Sequence, residues 1–450
     1  MAQTLRPWKI VLTTLFVLVD IALGTYVLLK RAQVSQHISV KPAAHGLREV
    51  HWQEDLDFFA KQFPSVQVDF AKLYSPTKFP QDVSDLEQDV PQLKDSEIVL
   101  RLMQLVASGG ISHDTVDPQS DLAFHPYPLQ FFWYSDGPAV TWAGEKYKSA
   151  LGARIVRIGS MTPEELESAV APYLSHENLP WLHELSPDFI MNREVAEHFG
   201  LAGADGSVEF TFVRPGAEQF RLRIAPAAPN SQLNLISAAE ALHLPEPLYR
   251  KHPDGWYWYE YLPDSHALYI QYTRCQNDPK KSFKNFTQEM FHFADGLHDP
   301  MRIERVIVDL RFNSGGNSSV IDPLLEGLKA RPQLSKKGRL YVLIGRDTFS
   351  SGMMAAVSLR EDLHAIVIGE ESGSPPNEYG EVKTFTLPNS KIEINYTTKY
   401  FRLLEDSDPS SLEPDVPIQR SIVDFLSGED QALDAALKYR LPIVQSTASR

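Results

Sequence analysis

The chain holds one cysteine, Cys275, in 450 residues, so no disulfide can close within it, and the redox compartment stays undecided. The apolar neighbours of Cys275 read as the surroundings of a packed thiol, not of a nucleophile. Positive charge is also short: 43 Lys and Arg stand against 58 Asp and Glu, a net charge of −15. That leaves no basic face of the size a phosphate backbone demands, and nucleic acid is excluded as the expected partner. Nucleotide-binding fingerprints of the Gly-x-x-x-x-Gly-Lys or Gly-x-Gly-x-x-Gly kind do not occur at the glycine turns, and there is no internal repeat or low-complexity tract. Beyond Arg31 no apolar run reaches membrane-spanning length. What is present, 43% hydrophobic and 22% charged residues, suits a folded protein long enough for two or three domains.

The exception to the missing apolar runs is Ile10–Leu29, flanked by Arg6 and Lys9 before it and by Lys30 and Arg31 after it. It reads as a membrane anchor, with Asp20 costing about 2.5–3.5 kcal/mol on insertion. The other reading is a signal peptide with its apolar part at Ile10–Val19 and the small residues Ala22 and Gly24 before the cut. Either way the bulk of the chain is expected to be extracytoplasmic, tethered or secreted.

After this segment and its tether (residues 1–35) the pattern divides in three. Residues 36–125 read as helical: Trp52, Leu56, Phe59 and Phe63 recur at helical spacing up to Pro64, and Ser96 stands as an N-cap before EIVLRLMQLVAS. Residues 126–230 read as a small mixed domain. It has a strand over Gly152–Ile158, a helix capped by Thr162 with Pro163 and Glu165, and a hairpin around Arg214–Pro215–Gly216. Residues 231–445 alternate buried strands (Val306–Leu310, Leu340–Ile344, Ala365–Gly369) with helices, the pattern of parallel βα units in an α/β domain. Chemistry is then expected at the carboxyl ends of those strands.

Two such ends carry it. Ser350 follows one strand by a short turn and opens a helix, where a hydroxyl is fixed in space and the helix dipole favours nearby negative charge. Serine at a helix start is most often only a cap. The neighbouring unit, however, ends in Gly315–Gly316, where backbone N–H groups can approach a developing oxyanion. The pairing points to acyl transfer, most simply peptide hydrolysis. Among fourteen histidines, His113 lies in a polar turn with Ser112 and Asp114 beside it and is the expected base, with His125 competing on composition. His292 and His298 fall on different faces and read as solvated, so no metal site is expected.

These residues resemble a known family. VIVDLRFNSGG, TFSSGMMAA, AIVIGEESG and LEPDVPI follow the order and spacing of the C-terminal processing (tail-specific) serine peptidases and of the related core domain of tricorn protease. More loosely, ISHDT resembles the family's histidine segment, and FFWYSDGPAV through ARIVRIGSMTPEEL resembles a PDZ-type insert. The resemblance implies a crotonase-like βα core with no cofactor, Ser350 as nucleophile, and oxyanion donors at Gly315, Gly316 and Ser351. It departs from the tail-specific pattern at Gly369-Glu370-Glu371-Ser372-Gly373-Ser374, where serine replaces the lysine base, so a Ser-Lys dyad is not expected. Tricorn-like members use a histidine preceded by serine, which Ser112-His113 matches; their glutamate falls at Pro409 here, leaving Asp408 or Glu405 as substitutes. The expectation is a membrane-tethered serine peptidase acting on a peptide or protein through a Ser350 acyl-enzyme with His113 as base. The alternatives are an inactive peptide- or lipid-binding protein, as in the retinoid-binding proteins of the same fold, and an esterase or acyltransferase using the same serine.

Overall fold

The computed structural model describes residues 47–440, apart from 119–121, 123, 215, 229–232 and 253–254. The run Ile10–Leu29 lies outside the described residues; among those described, no helix is long and apolar enough to cross a membrane.

Helix α1 (Leu47–Val66) buries Trp52, Leu56, Phe59 and Phe63, the residues its spacing singles out. It continues through Pro64 instead of stopping there. A proline so close to the end forfeits little of the ladder, and Phe63 stays stacked on Phe59 at 5.2 Å and edge-on to Tyr74 at 5.3 Å. Helices α2 (Lys78–Asp89) and α3 (Asp95–Ala107) complete this layer. The cap of α3 falls at Lys94, not Ser96, because the Lys94 amide donates to the Glu97 carboxylate at 2.9 Å. Strand β1 (Thr115–Asp117) follows.

Strands β2 (Leu129–Tyr134), β3 (Gly137–Gly144), β4 (Arg154–Ile158), β5 (Val208–Val213) and β6 (Phe220–Ile224) form an antiparallel sheet, with β7 (Leu235–Ser237) added beside β3. Helices α4 (Pro163–Val170) and α5 (Leu179–Ile190) share its core. The expected hairpin is β5–β6, and Thr162 caps α4 reciprocally with Glu165.

The third part begins with the antiparallel pair β8 (Tyr257–Leu262) and β9 (Ala267–Tyr272) and continues in parallel through β10 (Arg305–Asp309), β11 (Leu340–Ile344) and β12 (Ile366–Gly369). The long hairpin β13 (Asn377–Thr386) and β14 (Glu393–Arg402) intervenes before β15 (Val416–Pro417) closes the edge, giving the order β15-β12-β11-β10-β9-β8. Strands β10 to β12 are apolar on both faces because both are covered. Helices α6 (Phe283–Asp295), α7 (Asp322–Lys329) and α8 (Ser351–Leu363) pack on one side and α9 (Gln431–Lys438) on the other. Each side chain so enclosed contributes about 1.5–3 kcal/mol.

One pairing positions the site. Strand β1 joins the free edge of β14, with Thr115 opposite Asn395, while α1 to α3 pack on Leu387, Ile392 and Ile394 of the same hairpin. The turn Ile111–Asp114 is thereby carried from the helical layer to the carboxyl end of the parallel sheet.

Candidate active site

The two strand-end turns singled out in the sequence are laced together. Phe349 N–H donates to Asn313 C=O at 3.0 Å, Thr348 Oγ1 donates to Leu310 C=O at 2.8 Å, and Ser351 Oγ donates to Gly316 C=O at 2.7 Å. The contact is close enough to exclude side chains: a Cβ on Gly315 would lie 2.8 Å from Ser350 Cβ, and one on Gly316 would lie 2.5 Å from Cys275 C=O. Both glycines also hold positive φ, 108° and 132°.

Ser350 occupies the N-cap position of α8, yet its side chain makes no capping hydrogen bond. Its backbone sits at φ 52°, ψ −129°, a conformation that costs a non-glycine residue roughly 1–3 kcal/mol. The Ser350 amide donates to Ser374 Oγ at 2.9 Å and its carbonyl accepts from Met354 N–H at 2.9 Å, so the backbone is held on both sides while the hydroxyl stays out of the cap. Of the amides expected to face an oxyanion, that of Gly315 is already bonded to Asn313 Oδ1 at 3.0 Å. Gly315 thus supplies close approach, and Gly316 and Ser351 remain the donors to consider.

His113 comes to the same place. Its ring lies against Phe349, the residue before Ser350, at 4.6 Å between centroids, and Phe349 in turn stacks on Trp181 of α5 at 3.9 Å. Part of the residue reaches the surface, but both ring nitrogens are enclosed and have no hydrogen-bond partner. Burial pushes the imidazole down to about 4, so it is neutral at physiological pH and able to accept a proton. The turn is anchored by its neighbours. Asp114 accepts from Thr397 N–H at 2.9 Å and from the Tyr74 hydroxyl at 3.1 Å, and Ser112 N–H donates to Glu177 at 3.3 Å.

The other sequence candidates are placed differently. His125 pairs with Glu194 through both its ring and its amide. Asp408 is exposed and accepts from Asn377 Nδ2 at 3.1 Å, and Glu405 faces Arg402 at 3.7 Å on the surface. Cys275 is fully buried beside Asn313, with burial raising its thiol to about 11. Sequence reasoning missed Glu177, beside Ser112 of the histidine turn, and Ser374 and Glu378, of which Ser374 holds the Ser350 amide; nothing local to these residues marks them out.

No family model matches the sequence, and no curated protein matches it. Solved structures do match. Mature CPAF complexed with lactacystin aligns with a TM-score of 0.59 at 13% identity, covering 87% of this chain and 98% of that one. Mature CPAF in a further crystal structure gives 0.58 at 13%, covering 87% and 97%. The photosystem II D1 C-terminal processing protease is a looser match, 0.38 at 12%, covering 86% and 98%. The mixed α/β architecture, with its several sheets, is therefore one this chain shares with CPAF.

Proposed function

We propose that the chain is a serine peptidase of the C-terminal processing type, with a crotonase-like core, a PDZ-like domain over residues 126–230 that takes an extended segment or chain end by strand addition, and Ile10–Leu29 as its export or tethering segment. His113 accepts the Ser350 hydroxyl proton as Ser350 Oγ attacks the scissile carbonyl. The oxyanion draws on the Gly316 and Ser351 amides; its collapse breaks the C–N bond and expels the amine, which takes the proton from His113, and water, giving a proton to His113, then hydrolyses the acyl ester to release the carboxylic product and restore the Ser350 hydroxyl. Each such donor is typically worth about 2.7–4 kcal/mol in the transition state.

One observation carries this reading: a serine kept in strained backbone at a helix start, its hydroxyl outside the cap, packed on a glycine turn and next to an aromatic ring that bears a neutral histidine. The order of the four family-like motifs and the fold shared with CPAF support it. A binding protein without turnover is the second reading, favoured by the unpartnered ring nitrogens of His113.

The deciding experiment treats the purified chain with a fluorophosphonate probe and maps the modified residue by mass spectrometry. Labelling at Ser350 that disappears in His113→Ala is expected; folded protein that takes up no label would leave the binding reading.

A further inference from the structure

Two carboxyls lie beside the candidate serine and histidine without a task. Glu177, in the turn before α5, accepts a hydrogen bond from the Ser112 N–H at 3.3 Å, one residue from His113. Glu378, the second residue of β13, is fully enclosed, and neither of its carboxyl oxygens makes a hydrogen bond of ordinary geometry. Its neighbour Ser374 is equally buried and accepts the Ser350 amide. One carboxyl is thus joined to the base's turn and the other adjoins the hydroxyl that holds the nucleophile's amide. A buried carboxyl without partners is a costly feature, worth at least about 1–3 kcal/mol, and in a site already strained at Ser350 it calls for a reason.

Resting on the assignment of Ser350 and His113 made above, we propose that Glu177 and Glu378 form a buried acid pair that positions the two halves of the site. Glu177 holds the Ser112–His113 turn, and Glu378 holds Ser374 beneath the Ser350 amide. Both are positioning residues, since each acts through a serine.

The electrostatics fit a pair with unequal members. Burial raises Glu177 to about 7; the Ser112 hydroxyl and amide pull it back, while Asp114 and Asp408 push it further up, and its charge is also felt by Tyr400. Burial raises Glu378 well above the carboxylate range, the Ser374 hydroxyl offsets part of this, and the charge of Glu177 adds to it. Glu177 therefore ionises first and keeps the proton on Glu378. An ionised Glu177 is the better acceptor for the Ser112 amide, and a protonated Glu378 can donate one hydrogen bond while accepting from Ser374.

The test has two arms, both on the full chain. In a Ser350→Ala background, difference infrared spectroscopy follows the carboxyl stretch against pH. A carboxyl that stays protonated well above the ordinary carboxylate range should vanish in Glu378→Gln, and its midpoint should fall in Glu177→Gln. No such carboxyl, or a midpoint that Glu177→Gln leaves in place, overturns the pairing. With Ser350 intact, fluorophosphonate labelling of Glu177→Gln and Glu378→Gln should slow by about a hundredfold. The rise in labelling rate through about pH 7 should disappear in Glu177→Gln and return in Glu177→Asp. Rates within about twofold of wild type in both glutamine variants would overturn the positioning role. A wild-type chain that takes no label removes the Ser350 assignment instead, and the infrared arm still decides the pair; where Glu378→Gln unfolds, the midpoint shift in Glu177→Gln decides it, and where Glu177→Gln unfolds, Glu177→Asp takes its place with a shifted midpoint.

Discussion

Thr397 donates its backbone N–H to the Asp114 carboxylate at 2.9 Å, across 283 residues of sequence. Asp114 is otherwise enclosed with Tyr74, and burial outweighs these bonds and raises it to about 7. A carboxyl that keeps its proton in the folded state favours folding below its unfolded value and loses that advantage as pH rises toward the folded one. Asp114→Asn should therefore remove a decline in stability between about pH 4 and 7, worth about 4 kcal/mol at most. Urea denaturation of both proteins at pH 4.5 and 8 measures it, and equal slopes with pH would contradict the buried acid.

His113 works in the opposite direction. Its imidazole, held down to about 4 by burial, stays neutral in the fold while the unfolded chain takes up a proton below its ordinary value near 6.5. Acidification from about pH 6.5 to 4 thus costs stability, and His113→Gln should flatten that limb in the same denaturation series.

The backbone at Ser350 predicts a trade between stability and chemistry. Glycine accepts φ 52° without the clash that serine and alanine both bear, so Ser350→Gly should be more stable than Ser350→Ala by about 1 kcal/mol. Both should fail to label. Equal midpoints in urea would mean that the turn is not strained.

Space around Gly315 supplies a sharper contrast. Gly315→Ala would thrust its methyl within 2.8 Å of Ser350 Cβ and 3.1 Å of Ser351 N, whereas Gly110 has nothing within 4 Å of the same position. Under the proposed mechanism, Gly315→Ala should lower turnover by roughly 10²–10³-fold by displacing Ser350. Gly110→Ala, at φ 64°, should cost only about 1 kcal/mol of stability and leave turnover alone. Steady-state rates of the two variants, with melting curves, separate these outcomes.

Arg311 grips Asp309 and Asp430 together, with closest contacts of 2.6 Å to Asp309 and 2.7 Å to Asp430, in a buried setting. Arg311→Leu would strand two buried carboxylates and should destabilise the chain by roughly 3–5 kcal/mol. The loss should be nearly independent of salt, unlike that at the exposed Arg221–Glu209 pair. Denaturation at low and high salt reads the difference.

Legibility followed the range of the interactions. Strands β10 to β12 and the capped helix α4 could be read to within a residue or two, because an apolar run and a Thr-Pro-x-Glu start are local signals. The turns at Gly315 and Ser350 were equally plain. Pro64 misled, because Phe59, Phe63 and Tyr74 sustain a turn that local preference would end, and Ser96 misled because Glu97 capped the helix two residues before it. The approach of His113 to Phe349 had no local signature at all. It depends on β1 finding β14, and the carboxyls of Glu177 and Glu378 become visible only once that pairing has buried them.

That pairing also sets a birth order. During synthesis the Ser350 turn, the glycine turn and strands β8 to β12 emerge before β14, while the His113 turn, made earlier still, has no edge to join. A ribosome-bound chain that has not yet released Thr397 holds both halves of the candidate site unjoined, so the His113 turn reaches Phe349 only after β14 is made.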